Sequence, residues 1–143
     1  MNAQAQLLQK AGKLEQAGDF AALANIYRQM LAAEPGNTGI MVELGRTVLR
    51  LGQTAAAAEY FNAAITGDPA CFAAWCNLGT LQLDADLHAQ AIASFENAGR
   101  VDGRSALPPL NLGLVHHRKG DLDAALIAYR RATALAPNMP EAH

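Results

Sequence analysis

The chain has 143 residues, 51% of them apolar, with 13 acidic residues against 11 basic ones and a formal charge of −2. That size and apolar content support a substantial interior, whereas the near-neutral balance gives no general attraction for nucleic acid or an anionic membrane surface. No apolar run approaches the roughly 18 residues a membrane span needs, and the first residues lack the basic start and apolar core of a secretory leader; the cytoplasm is the expected location.

Residues 5–17 read as a first helix, with Leu7, Leu8, Ala11 and Leu14 at helical spacing, broken by Gly18-Asp19. A second helix runs to about residue 33, its broad apolar face made by Ala22, Leu23, Ile26, Tyr27, Met30 and Leu31, and Glu34-Pro35-Gly36-Asn37 ends the pair. The next pair spans about 39–50 and 54–67. Gly45 permits close approach of a facing helix there, Tyr60 and Phe61 are the bulky partners, Thr54 is expected to cap the second helix, and Asp68-Pro69 makes the turn.

A third pair covers about 72–84 and 88–99. Trp75 is expected to be a packed anchor, Asp86 stands where a turn glycine is usual, and Ala98-Gly99-Arg100 is expected to end the helix. The fourth pair covers about 107–119 and 122–135. Pro108-Pro109 is tolerated near its start, because the first helix amides need no intrahelical partner. Gly120-Asp121 separates its helices and Ala136-Pro137-Asn138 is expected to close it. Too few residues follow Pro137 for another helix, and the outer side of 122–135 carries Leu126, Ile127 and Tyr129. That end reads as part of a longer protein or, alternatively, as a surface that meets another chain.

These pairs repeat. Asn77-Leu78-Gly79 returns as Asn111-Leu112-Gly113 after 34 residues and is preceded at the same interval by Glu43-Leu44-Gly45. Phe61, Phe95 and Tyr129 keep that spacing, as do Ala64, Ala98 and Ala132, and Pro35 and Pro69; Gly103 replaces one proline. A period held without insertion over four units indicates a helical repeat array. Trp75, Leu78, Gly79, Ala91, Phe95 and Ala98, with their counterparts in the second and fourth units, resemble the tetratricopeptide repeat. The first unit matches more loosely through Ala11, Gly18, Leu23, Tyr27, Met30 and Pro35. The resemblance implies an all-α, right-handed α-α superhelix: a single array over residues 4–137 with repeats at about 4–37, 38–71, 72–105 and 106–139, and a short tail at 138–143.

In such a superhelix the first helices line a concave surface. Projecting them inward gives a peptide-binding groove of Gln9, with Leu8 and Gly12 beside it; Val42, Glu43, Arg46, Leu49 and Arg50; Asn77, Thr80 and Asp84, with Cys76 and Leu83 beside them; then Leu110, Asn111, Leu114, His117 and Arg118. Apolar pockets interrupted by amides suit an extended peptide, since an amide both donates to and accepts from a peptide bond. Bracing between repeats is the alternative role for Asn77 and Asn111. Those two residues also match part of an asparagine ladder found in repeat proteins resembling nucleotide-sugar transferases, but Gln9 and Glu43 hold its earlier places. A carboxylate clamp for chaperone tails is not expected, because Leu8, Gly12, Glu43, Ala73 and Asn77 occupy its positions. Arg46 and Arg50 are available to an acidic group unless Glu43 and Asp84 neutralise them.

His116 reads as packed, His117 lies nearer the groove and His88 sits at a turn. Neighbouring helical residues point about 100° apart, so the adjacent pair is poorly placed to share a metal. Cys71 and Cys76 form no CxxC and read as reduced thiols. No HExxH, phosphate-binding glycine loop or nucleophile elbow is present, and no cofactor, metal or catalytic residue is expected. The leading expectation is a noncatalytic protein-interaction scaffold whose partner is a protein or peptide, not nucleic acid or a membrane interior. The alternatives are a homo-oligomer joined through the array ends, or the substrate-recognising segment of an enzyme such as a glycosyltransferase.

Overall fold

The computed structural model describes residues 2–136. The expected closing turn at Pro137-Asn138 and the tail at 138–143 lie outside the described residues. Eight helices follow in order: α1 (Ala3–Ala17), α2 (Phe20–Ala33), α3 (Thr38–Arg50), α4 (Thr54–Gly67), α5 (Phe72–Asp84), α6 (His88–Val101), α7 (Leu107–Lys119) and α8 (Leu122–Leu135). They fall into two compact units, Met1–Pro69 and Ala70–His143. Within the first, α1 packs on α2, α2 on α3 and α3 on α4; within the second, α5 packs on α6, α6 on α7 and α7 on α8, with a lighter contact between α5 and α7.

One contact sets the spacing of three helix pairs. A Cβ on Gly45 would stand 2.6 Å from the Phe61 ring, one on Gly79 2.7 Å from the Phe95 ring, and one on Gly113 2.5 Å from the Tyr129 ring. The aromatic of the second helix therefore rests in the space a side chain would fill on the first. Phe61 and Phe95 are fully buried, and Ala57, Ala64, Ala91, Ala98, Ala125 and Ala132 keep the surrounding surface narrow. In the second unit, Phe95 continues into a cluster with Leu83, Ala91, Leu112, Val115 and Ala128.

The first pair is built differently. Ala11 occupies the place of the packing glycine and is the buried residue of α1. Leu23 and Met30, both buried, stand where the later pairs have alanines. The outward side of α1 also differs: Gln6, Lys10 and Lys13 are exposed, whereas α3 buries Ile40, Leu44 and Thr47 in the corresponding places.

The turn inside each pair is the same. Gly18, Gly52, Asp86 and Gly120 have φ of 73°, 80°, 60° and 85°. Asp86 thus adopts the left-handed conformation its glycine counterparts adopt, and the connection keeps its geometry despite the different residue. Side chains cap α1, α2, α3 and α8: Asn2, Asp19, Asn37 and Asp121 accept from Ala5, Ala22, Ile40 and Ala124 at 2.7, 3.2, 3.1 and 3.2 Å.

Two local expectations need correction. Thr54 is the first residue of α4, not its cap; Gln53 takes that place and makes no side-chain capping bond. And α6 does not stop at Gly99 but continues to Val101. Trp75 is half-buried. A Cβ on Gly99 would stand 3.8 Å from the Pro108 ring, an ordinary contact. The turn beyond it is held by Asp102 Oδ1 accepting from the Arg104 amide at 3.1 Å and Ser105 Oγ accepting from the Leu107 amide at 3.2 Å.

Gly79→Ala forces the Phe95 ring aside and is expected to cost about 2 kcal/mol of unfolding free energy, measured by urea denaturation. An unchanged midpoint would show that the ring relocates freely. Asp86→Gly removes the strain of a left-handed side chain and is expected to gain about 0.5 kcal/mol. A loss in the same measurement would mean that the Asp86 contact to His88 Nε2, at 3.8 Å, matters more than the backbone.

Candidate binding surfaces on the first helices

In the first unit, Gln9, Arg46 and Arg50 are exposed, and Glu43 and Leu49 are half-buried. Val42, expected in the groove, is 4% exposed and is a packing residue instead. Arg46 Nη1 lies 3.3 Å from Glu43 Oε1, one turn away on the same helix. The Arg50 guanidinium sits 5.0 Å from the centre of the Phe20 ring, a cation–π contact that ties the end of α3 to the start of α2. Glu15, Phe20, Tyr27, Glu43, Arg46 and Arg50 together border one small depression. Burial pushes the Tyr27 phenol above its ordinary pKa, Glu43 and then Glu15 push it further, and Arg46 opposes them.

An open cavity of about 740 Å³ lies in the same unit, bounded by α1, α2 and α3. Its lining is mostly apolar, from Ala5 and Leu8 on α1, Tyr27 and Met30 on α2, and Ile40 on α3, with Gln4, Glu34, Asn37 and Glu43 supplying polar groups. The helical projection from sequence included Leu8 and Glu43 but missed this cavity. The available signal was Met30, on the cavity wall, at a position where the later pairs carry alanine.

In the second unit, Asn77 and Asn111 are half-buried, Thr80, Asp84, His117 and Arg118 are exposed, Leu110 is half-buried and Leu114 is exposed. Asn77 Nδ2 donates to the Ala73 carbonyl of its own helix at 2.7 Å. That bond orients the amide within α5, and is not a brace to a neighbouring helix. Thr80 Oγ1 likewise donates to the Cys76 carbonyl at 3.0 Å. Asp84 pairs with Arg118, at 3.9 Å, and not with Arg46 or Arg50, and Arg118 also donates to the Leu83 carbonyl at 3.5 Å. This links the exposed edges of α5 and α7.

The histidines do not converge. His117 is exposed, while half-buried His116 borders a cavity of about 290 Å³ with Glu96, Leu112 and Arg131. Its Nδ1 is buried without a hydrogen-bond partner among the described residues. Cys71 and Cys76 are free thiols, and burial pushes Cys76 up to about 11. A thiol so far above neutral pH supplies almost no thiolate, and so is a packing group, not a nucleophile.

Sequential helix pairs with a ring-on-glycine contact and a repeated left-handed turn define a helical repeat protein. The sequence profile described as tetratricopeptide repeat matches residues 2–70, 42–105 and 76–140. The chain belongs to the tetratricopeptide repeat family, whose repeats mediate protein and peptide binding. A crystal structure of MamA is similar at 26% identity, covering 92% of this chain and 77% of that one, with a TM-score of 0.84. A thermophilic repeat protein from Thermus thermophilus aligns at 24% identity over 98% of this chain and 77% of its own, with a TM-score of 0.80. YrrB, described as a repeat protein with an unusual peptide-binding site, aligns at 18% identity over 98% and 72% of the two chains, with a TM-score of 0.83. No match was found among curated protein sequences. Among the described residues, no helix is long and apolar enough to cross a membrane.

The raised Cys76 value predicts alkylation by iodoacetamide at neutral pH about 100-fold slower than for an ordinary thiol, followed by mass spectrometry of the Cys76 peptide. The same shift has a stability consequence. Tyr27 and Cys76 both hold their protons more tightly when folded, so the stability they contribute is complete below their unfolded pKa values and is lost as pH rises through the folded ones. For Cys76 that window runs from 9.0 to about 11. Rapid alkylation, or a denaturation midpoint flat across it, would contradict this assignment.

Proposed function

We propose that the chain is a noncatalytic protein-interaction scaffold that binds an extended peptide on the exposed faces of α1, α3, α5 and α7. Its repeats are taken as 4–37, 38–71, 72–105 and 106–139, acting as one array over 4–137. In the first unit the contacting residues are Gln9, Glu43, Arg46, Leu49 and Arg50; in the second they are Asn77, Thr80, Asp84, Leu110, Asn111, Leu114, His117 and Arg118. The observation that carries this reading is the open apolar cavity beside α1 and α3, which offers an anchor site with polar groups along its edge. Asn77 supports it: with one amide hydrogen spent on Ala73, its orientation is fixed before any ligand arrives.

A second reading is self-association, favoured by the surface of α8, where Leu122, Leu126 and Ile127 are 63%, 49% and 61% exposed. Apolar side chains this open, on successive turns of one helix, mark a surface that gains by being covered.

Selection from a displayed random-peptide library against the whole chain decides between them. Enriched peptides are expected to bind the chain, and to lose about tenfold in affinity to a folded Asn77→Ala/Asn111→Ala/Arg46→Glu variant. Equal binding by the variant would remove these faces from the site. No enrichment, with sedimentation mass rising with concentration and falling again in a Leu126→Glu variant, would establish self-association instead.

A further inference from the structure

Taking the first-helix faces as peptide-binding, we propose that the cavity of the first unit is a specificity pocket for a bulky apolar side chain standing next to a lysine or arginine in the ligand. The first helix pair is packed by larger residues than the later ones. Ala11 stands where Gly45, Gly79 and Gly113 receive an aromatic ring. Leu23 stands for Ala57, Ala91 and Ala125, and Met30, which lines the cavity, for Ala64, Ala98 and Ala132. Leu8, also on the cavity wall, is 61% exposed where the corresponding Val42 and Cys76 are buried. The space opened, about 740 Å³, is within the size range of ligand pockets and exceeds a single large side chain.

The chemistry of the lining selects what accompanies that side chain. Glu34 and Glu43 contribute two carboxylates, and no lysine or arginine lines the cavity. Glu34 Oε2 accepts from Asn37 Nδ2 at 3.0 Å, and among the described residues Glu43 pairs with the exposed Arg46. Burial, then Glu43 and Glu15, raise the pKa of Tyr27 on the cavity wall, and Arg46 opposes them. Carboxylates around an apolar floor fit a ligand that brings positive charge with its hydrophobic anchor.

The test uses the whole chain and an array of synthetic peptides, acetylated and amidated, in which every two-residue core is flanked by glycine and serine. Cores pairing phenylalanine, leucine or methionine with lysine or arginine are expected to bind best. Replacing lysine by glutamate in the phenylalanine–lysine peptide is expected to weaken binding at least about tenfold in solution, as is a Glu34→Gln/Glu43→Gln variant of the protein. High salt should reduce binding of the cationic peptide. An Ala5→Trp variant, which fills the cavity without changing charge, should lose binding to all apolar cores; the two-glutamine variant keeps the test intact if tryptophan disturbs folding. Equal binding of lysine and glutamate cores, or of wild type and the two-glutamine variant, overturns the proposal. Binding confined to cores of other chemistry overturns it while leaving peptide recognition standing. If no core binds, the proposal falls, and peptide recognition itself is then decided by the displayed-library selection.

Discussion

The seat of an aromatic ring on a bare helix backbone is the constraint from which the rest of this structure follows. Gly45, Gly79 and Gly113 have no Cβ, and Phe61, Phe95 and Tyr129 occupy the volume left. A ring can fill that space only if the surrounding positions are small, which is why alanines recur one turn to either side of it. Burying each ring contributes on the order of 2–3 kcal/mol, and the contact also fixes how near the two helices of a pair stand. That distance decides how much of the first helix remains at the surface to meet a ligand.

The turns inside the pairs keep their form by means of backbone conformation more than residue identity. Gly18, Gly52 and Gly120 reach the left-handed region without cost, and Asp86 reaches it with a side chain. Helix starts are equally tolerant. Four helices are capped by an asparagine or aspartate side chain, whereas α4, α5, α6 and α7 begin without one. Packing along the pair supplies what a missing cap does not, consistent with helix stability coming mainly from the buried face.

Most of the helix boundaries were legible because the 34-residue phase places them independently of local propensity. The errors arose where local propensity was given more weight than phase. Gly99 suggested a helix end, yet its helix ends 34 residues after that of α4, at Val101. Thr54 suggested a cap by residue type. The site was less legible, because a helical projection gives direction but not depth. Val42 shares a face with Arg46, but one is buried and the other exposed. The Asp84–Arg118 pair joins two repeats, and spacing alone does not reveal which of several cations an aspartate meets. The cavity was not legible, because its walls come from three helices and a projection of α1 alone does not show how Tyr27, Met30 and Ile40 border Leu8.

That distinction bears on where selectivity arises in a repeat protein. Positions that keep their size set the spacing, and positions that change it create surfaces the repeat does not otherwise have. The two units differ accordingly. The first-helix faces of the first unit carry an open apolar floor bordered by carboxylates, with Arg46 and Arg50 beside it; those of the second carry amides and a hydroxyl, with Asp84 and Arg118 3.9 Å apart. Amides suit the peptide backbone, which every sequence shares, and have little power to discriminate between side chains. On the proposed reading, discrimination by charge and bulk falls to the first unit, where the repeat is least regular and carboxylates border the apolar floor.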